Sequence, residues 1–531
     1  MEANKEQLQA INSNSDRILC LAGAGAGKTA TLINRTSRLV NDGVPADAIL
    51  SLTFTNAAGA EMKERFEHNN PGKISPEFRT FHAFCYSILC KDPAIREALN
   101  YENIPGIASE EQEKAIEEKA KTQCKITLTK EQLKERKGLD KKEQFQVELY
   151  DKAVTRLMRQ SNLITFDRLN SEVADLFASD HPATKYYKDR YKYIAFDEFQ
   201  DADHHQIKFL NSFPNTNLYF CGDVLQNIYS FRGTSNEYIK ALSNTPDWEK
   251  IRLFTNYRST NQICEYANKF SATYADPSYR IEMQGIRDGD KVHVKYVNGP
   301  AKFSPIDTND IDNVMDILSN IPGTSAILCR TNKEVNAIAN YLKNQGIEFT
   351  TSKDTKIQKL LDCAVSDSYA LDLFASYLSS NKYGEYIRLS NQVKNPDLEW
   401  FLKNYGDVPQ IKADMKIISK LKDIADSFGF TNTKLKDVAE LLNVASIKEA
   451  DKEYFGKDFL VYLKDSIEDV KSSELYVGTI HSVKGLEYDN VFVMNVGSYN
   501  FRLNNEDMKN LFYVAITRAK NRLYVYKLFE D

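Results

Sequence analysis

Gly23, Gly25 and Gly27 alternate with Ala22, Ala24 and Ala26 and run directly into Lys28 and Thr29. Glycine reaches backbone angles closed to other residues and leaves no side chain in the way. Successive N–H groups of such a loop turn inward on phosphate oxygens, and a following helix adds its positive end. Lys28 is then spaced to reach the β- and γ-phosphates, and the Thr29 hydroxyl to hold Mg²⁺. The pattern predicts a bound nucleoside triphosphate. A second cluster, Asp197-Glu198, follows the apolar run Tyr193–Phe196. Two adjacent acids are ordinarily solvated surface charge. Behind a strand and downstream of a phosphate loop they have a defined use: Asp197 holds the same Mg²⁺, and Glu198 orients or deprotonates the attacking water.

Those residues need elements to position them. Apolar runs at Ile18–Leu21, Ile49–Phe54, Tyr193–Phe196 and Leu218–Cys221 read as strands, with helices starting at Lys28 and near Ala57–Phe66. Strands separated by helices imply a parallel sheet. Residues 91–163 differ: Ser109 to Gln146 is charge-dense at helical spacing, the pattern of solvated helical faces. This stretch reads as a helical insertion into the first α/β core. A second α/β section carries strands around Val292–Val297, Ser325–Cys329, Leu475–Thr479, Val491–Asn495 and Leu523–Lys527, interrupted by helical patterns over about 376–469.

With 531 residues the chain exceeds what one core accommodates. A hydrophobic share of 42% and a charged share of 27% are those of an ordinary globular protein. The net charge of −5 excludes a global basic field, so any nucleic-acid site must be a local groove. Eight cysteines without a C-x-x-C pair indicate neither zinc nor a disulfide framework. The N-terminus lacks a leader pattern and no apolar run approaches the roughly 18 residues of a membrane span. A cytoplasmic protein with no membrane partner is expected.

In order along the chain, further segments resemble the motifs of the superfamily 1A DNA helicases of the UvrD/Rep/PcrA group. They are Gln7 within Asn4–Ile11; Thr53-Phe54-Thr55-Asn56-Ala57; Thr80-Phe81-His82-Ala83-Phe84; Ile164–Leu169; Asp197–Asp201 with Gln206; Gly222–Gly233; Asn256-Tyr257-Arg258-Ser259; Thr479–Glu487; and Tyr513–Lys520. The resemblance implies an α/β fold of two RecA-like parallel-sheet P-loop domains, each with a helical insertion. Residues 1–90 and 164–248 would form domain 1A and 91–163 insert 1B. Residues 249–375 and 470–531 would form domain 2A, and 376–469 a reduced insert 2B. It implies ATP and Mg²⁺ as cofactors, with Gln7 reading the adenine, Tyr257 stacking on it, Glu487 taking the ribose and Gln226 linking the γ-phosphate to the DNA site. Arg258 and Arg518 would stabilise charge on the transferring phosphoryl group, a task that suits planar Arg forks. Both fall in the second core, so hydrolysis is expected to depend on the two cores meeting.

The resemblance further implies that Phe54, His82, Tyr229 and Phe231 line a single-strand groove, where aromatic faces stack on bases without demanding sequence. Asn56, Thr331, Asn332, Thr479 and His481 would contact phosphates as neutral donors, which fits an acidic chain. The expected activity is a DNA-stimulated ATPase moving 3′→5′ on single-stranded DNA and unwinding duplex at single-strand/double-strand junctions, with a repair protein as a conceivable partner. The alternative is a nucleotide-sensing subunit gating a separate nuclease, as in a Gabija-like defence complex. Two departures bear on this choice. Asp507-Met508-Lys509-Asn510 replaces the acidic and basic residues that usually precede Leu-x-Tyr, and the interval from Asn332 to Thr479 is short, which argues for a trimmed second insert and weaker unwinding.

Overall fold

The computed structural model describes residues 3–108, 110–136, 138–228, 236–298, 305–351 and 474–529. The chain divides into two compact units. The first comprises Met1–Leu21, Lys28–Asp223 and Tyr229–Arg252; the second comprises Ala22–Gly27, Val224–Ile228 and Leu253–Asp531. Two short peptides, Ala22–Gly27 and Val224–Ile228, thus lie between segments of the first unit in sequence yet pack with the second.

In the first unit a six-stranded sheet runs in the order Glu77–Thr80, Ile49–Thr53, Tyr193–Phe196, Asn217–Gly222, Arg17–Ala22, Glu249–Leu253. The first five strands pair in parallel, with Leu19 opposite Phe220 and Leu50 opposite Ile194. The inner strands Arg17–Ala22 and Ile49–Thr53 are buried along almost their whole length rather than at alternate positions because both faces are covered, as parallel sheets require. The parallel arrangement places Phe54, Phe81-His82, Asp197 and Asp223 beyond the carboxyl ends of neighbouring strands, the edge where open α/β sheets bind ligands.

Helix Lys28–Asn41 buries Leu32, Thr36 and Leu39. The Arg35 guanidinium on the same helix donates to the carbonyls of Ala10, Ile11 and Ser13 at 2.9, 3.3 and 2.7 Å, which ties down the end of helix Lys5–Asn12. Residues 91–163 contain helices Pro93–Ala98, Glu110–Cys124, Lys130–Glu135 and Lys141–Gln160. The last three close on a small core of their own, formed by Ile116, Leu133, Val147, Tyr150, Leu157 and Met158.

In the second unit an all-parallel five-stranded sheet runs His293–Val297, Ala519–Leu528, Tyr488–Val496, Ser325–Cys329, Leu475–Thr479. Its core gathers Ile327, Val477, Phe492, Ile338 and Tyr526 under helices Thr308–Leu318 and Asn332–Asn344. The two parallel sheets bear out the α/β class. The helical segment expected at 376–469 lies outside the described residues.

Candidate nucleotide site and nucleic-acid surface

The first unit supplies a dense charged cluster. Strand Tyr193–Phe196 ends at Asp197, whose Oδ2 accepts the Thr29 hydroxyl at 2.7 Å. The other oxygen, Oδ1, is buried and has no hydrogen-bond partner. Lys28, 9% exposed, places Nζ 3.7 Å from Glu198 Oε1. Burial alone would lower the Lys28 pKa, but the carboxylates of Glu198, Asp223 and Asp197 outweigh it and hold the ammonium above its ordinary value. Asp197 is pushed up to about 7, first by burial and then by the neighbouring Glu198 charge, against the opposing Thr29 hydrogen bond.

Glu198 itself sits at φ +55°, a left-handed conformation that costs a non-glycine residue roughly 1–2 kcal/mol. Such strain persists only where its surroundings hold it and tends to gather at functional sites. One holder is Gln200. Its Nε2 donates to Glu198 Oε2 at 2.5 Å while its Oε1 accepts the Asp223 N–H at 3.0 Å. Gln200 is buried and the sequence alone assigns it no task; a carboxamide two residues beyond Glu198 is the available signal.

These residues fit ATP and Mg²⁺. A hydroxyl and a carboxylate oxygen held 2.7 Å apart, with the carboxylate's second oxygen buried and unpartnered, are hard-oxygen donors of the kind Mg²⁺ takes beside substrate phosphates. Among the described residues, no group of three or more His, Cys, Asp or Glu residues forms a metal cage of its own.

The second unit supplies the loop backbone and the arginines. Gly25 has φ +68° and Gly27 φ +75°. A Cβ on Gly25 would stand 2.7 Å from Arg258 Cβ and 2.8 Å from Asn256 Oδ1, so glycine is required there on two counts. The Asn256 carboxamide donates to Ala24 O at 2.8 Å and accepts the N–H groups of Arg258 and Ser259 at 2.8 and 2.7 Å. Tyr257 N–H donates to Gly25 O at 3.0 Å. The Ala22–Gly27 peptide and the Asn256–Ser259 turn therefore share one hydrogen-bonded assembly, whereas the sequence placed them in separate cores. Asn256 is a second residue whose role sequence reasoning missed.

Arg258 Nε pairs with Glu487 Oε2 at 2.6 Å, and its Nη1 donates to Thr517 O at 3.3 Å. Arg518 is almost wholly buried. Its Nε donates to Val514 O at 3.0 Å and its Nη2 to Gln226 Oε1 at 3.3 Å. Lys484 Nζ donates to Gln226 O at 2.9 Å, so Gln226 is gripped through both its backbone and its side chain. Gln7 lies on helix Lys5–Asn12 in the first unit, where its Oε1 accepts Asn4 N–H at 3.1 Å in a capping box.

The residues expected along DNA divide. In the first unit His82 lies 3.0 Å from Asn170 Nδ2 and edge-on to Phe166 at a ring separation of 5.4 Å. Burial lowers its pKa despite nearby Asp203 and Asp167, which favours the neutral ring at pH 7. Phe54 is half-buried, and exposed Asn56 accepts the Thr80 hydroxyl at 3.1 Å. Phe166, 39% exposed at the start of helix Phe166–Ala178, lies in the Ile164–Leu169 motif but has no DNA-facing role in the sequence analysis. In the second unit the Thr331 and Thr479 hydroxyls cap the elements that follow them, accepting from Glu334 N–H and Ser482 N–H. Asn332 is exposed and His481 half-buried. Tyr499 is 86% exposed beyond strand Tyr488–Val496, with the Arg502 guanidinium 5.8 Å from its ring centre. Tyr229 and Phe231 lie outside the described residues.

Comparison with known proteins places this geometry. The model of the UvrD/REP helicase N-terminal domain matches residues 3–247, and that of the UvrD-like helicase C-terminal domain matches residues 251–360 and 372–528. The chain belongs to the UvrD-like helicase family. Relatives include a putative ATP-dependent DNA helicase, YjcD, of Bacillus subtilis, 26% identical over 98% of this chain and 78% of the relative. The ATP-dependent DNA helicase PcrA of Staphylococcus epidermidis is 25% identical over 98% of this chain and 83% of its own length. PcrA of Staphylococcus aureus is 24% identical over 98% and 82%. As a member of this family the chain is an ATP-hydrolysing helicase built on two RecA-like domains. Among the described residues no helix is long and apolar enough to cross a membrane.

Proposed function

We propose that this chain is a DNA-stimulated ATPase that moves 3′→5′ along single-stranded DNA and opens duplex at single-strand/double-strand junctions. The observation that carries the hydrolytic half is the Asp197 carboxylate, anchored to Thr29 through one oxygen while the other is buried without a partner beside the Lys28–Glu198 pair. In this reading Lys28 binds the β- and γ-phosphates, and Thr29 with Asp197 holds Mg²⁺. When bound, the metal neutralises phosphate charge. Glu198 orients the attacking water and accepts its proton. Arg258 and Arg518 stabilise charge on the transferring group, and Gln226, already bonded to Arg518, relays its presence. Gln7, Tyr257 and Glu487 would bind the nucleoside, with Glu487 giving up its Arg258 partner to take the ribose.

The DNA-facing set supports a sequence-tolerant single strand. Aromatic faces at His82, Phe166 and Tyr499, and polar groups at Asn56 and Asn332, lie beyond strand ends or at helix starts, and the chain is acidic overall. We read residues 1–90 with 164–248 as domain 1A, 91–163 as insert 1B, 249–375 with 470–531 as domain 2A and 376–469 as insert 2B. The nuclease-gating alternative gains no support from the described residues.

ATPase assays with and without single-stranded DNA, run beside unwinding of substrates bearing a 3′ or a 5′ overhang, test the proposal. Strong stimulation with unwinding from the 3′ overhang is expected. Unwinding from the 5′ overhang alone overturns the polarity, and stimulation without strand separation overturns the unwinding step.

A further inference from the structure

Outside every motif discussed above, Arg287 follows the short strand Gln284–Gly285, which pairs in parallel with Thr255–Asn256. Its half-buried guanidinium reaches two separate stretches of the second unit. Nη1 donates to Tyr257 O at 3.3 Å, and Nη2 lies 2.5 Å from Arg258 O, 3.1 Å from Lys520 O and 3.2 Å from Asn521 Oδ1. The first two acceptors belong to the turn that carries Arg258. The other two lie just beyond Arg518. The backbone adds to this tie, since Thr260 N–H donates to Lys520 O at 3.2 Å and Asn261 N–H to Arg287 O at 2.8 Å. The Ser259 hydroxyl donates to Ala519 O at 2.7 Å.

We propose that Arg287 is a positioning residue that sets the register between the Arg258 turn and the Arg518 segment, so that both phosphate-directed guanidiniums are presented together. The contacts that the two guanidiniums make here would have to be exchanged when they turn to a phosphate, so those contacts alone cannot hold the two backbones in register. Fixing the backbone behind them from a third point removes that dependence. The task calls for arginine: four acceptors on two chain segments require a planar fork with several fixed donors, and a lysine ammonium is a point charge that cannot span them. The interaction also differs from a buried ion pair, since all four acceptors are neutral, so the guanidinium keeps its charge while ordering carbonyls that would otherwise repel one another.

This inference rests on the roles proposed for Arg258 and Arg518, and the test separates the two. Arg287→Ala, Arg287→Lys, Arg518→Ala and Arg287→Ala/Arg518→Ala are prepared in the full chain. DNA-stimulated kcat, KM for ATP, affinity for a fluorescent non-hydrolysable ATP analogue and Tm are measured for each. Displacement of reacting groups by about an ångström costs up to about 10²-fold, so Arg287→Ala should lower kcat roughly 10–100-fold with nucleotide affinity nearly unchanged. Arg287→Lys, which keeps charge and bulk, should fold as the parent does and still lose most of this turnover. Because Arg287 acts through both arginines, the double variant should lose less than the sum of the two single losses, the remaining loss being that carried through Arg258. Parental kcat in Arg287→Lys, or additive losses in the double variant, overturns the positioning role while leaving the arginine assignments intact. Parental turnover in Arg518→Ala overturns those assignments, and the Arg287 role falls with them.

Discussion

The candidate site residues of the first unit and those of the second are built on different electrostatic plans. In the first unit Lys28, Asp197, Glu198 and Asp223 crowd together, and burial, followed by the neighbouring Glu198 charge, pushes Asp197 up to about 7. In the second unit the Arg258 guanidinium pairs with the Glu487 carboxylate and donates to the Thr517 carbonyl, while Arg518 donates to the Val514 carbonyl and the Gln226 carboxamide. The first arrangement holds excess negative charge that a cation would relieve. The second presents its arginines on carbonyl and carboxamide acceptors together with the Glu487 carboxylate. On the proposed reading, the difference is that the acids receive a metal and the arginines meet an anion.

The comparison can be broken most severely at Lys28. Lys28→Ala removes the only cation among the first unit's cluster residues named here and should bring ATP turnover to background in a steady-state assay; normal turnover would mean the cluster does not hold phosphate. Next, Arg258→Ala should slow DNA-stimulated hydrolysis by about 10³–10⁵ while leaving binding of an ATP analogue within a few-fold. A loss confined to binding would instead assign Arg258 to the ground state. Glu198→Gln should lower kcat roughly 10²–10⁴-fold with KM little changed, as expected for loss of a general base. A change in KM alone would move Glu198 from chemistry to binding.

The smallest effect sharpens the contrast. Because the Asp197 pKa is raised from 3.8 to about 7 by folding, the folded protein holds a proton that the unfolded chain has released between those values. Stability of the nucleotide- and metal-free protein therefore falls as pH rises through that window and stays lower above it. Asp197→Asn should abolish turnover yet raise Tm above pH 7, by roughly 2–4 °C for each kcal/mol relieved, with the gain vanishing below about pH 4. A lower Tm at pH 8 would show that the acidic cluster is not under strain.

Much of this was legible beforehand, for identifiable reasons. Strands such as Ser325–Cys329 and Leu475–Thr479 match the sequence reading because buried parallel strands are continuous apolar runs. Glu77–Thr80 and Glu249–Leu253 escaped it: each lies at an edge of its sheet and carries charged residues, so no apolar run marks it. At the candidate site, the side chains proposed for chemistry are visible in the sequence through their types and spacing. Those whose job is to hold other groups are not. Asn256, Gln200 and Arg287 each work through contacts with residues remote in sequence or with backbone carbonyls, and no periodicity records a carbonyl.

The Ala22–Gly27 and Val224–Ile228 peptides have a consequence for how this protein is made. Asn256 bonds Ala24 across 232 positions, and Arg518 bonds Gln226 across 292. During synthesis the early peptides leave the ribosome long before their partners exist, so the second unit cannot complete its packing until the chain is nearly finished. A fragment beginning at Leu253 would carry every strand of the five-stranded sheet and still lack two strips of its own interior. It should emerge from expression as a partly folded, aggregation-prone species, soluble only when residues 1–252 are supplied.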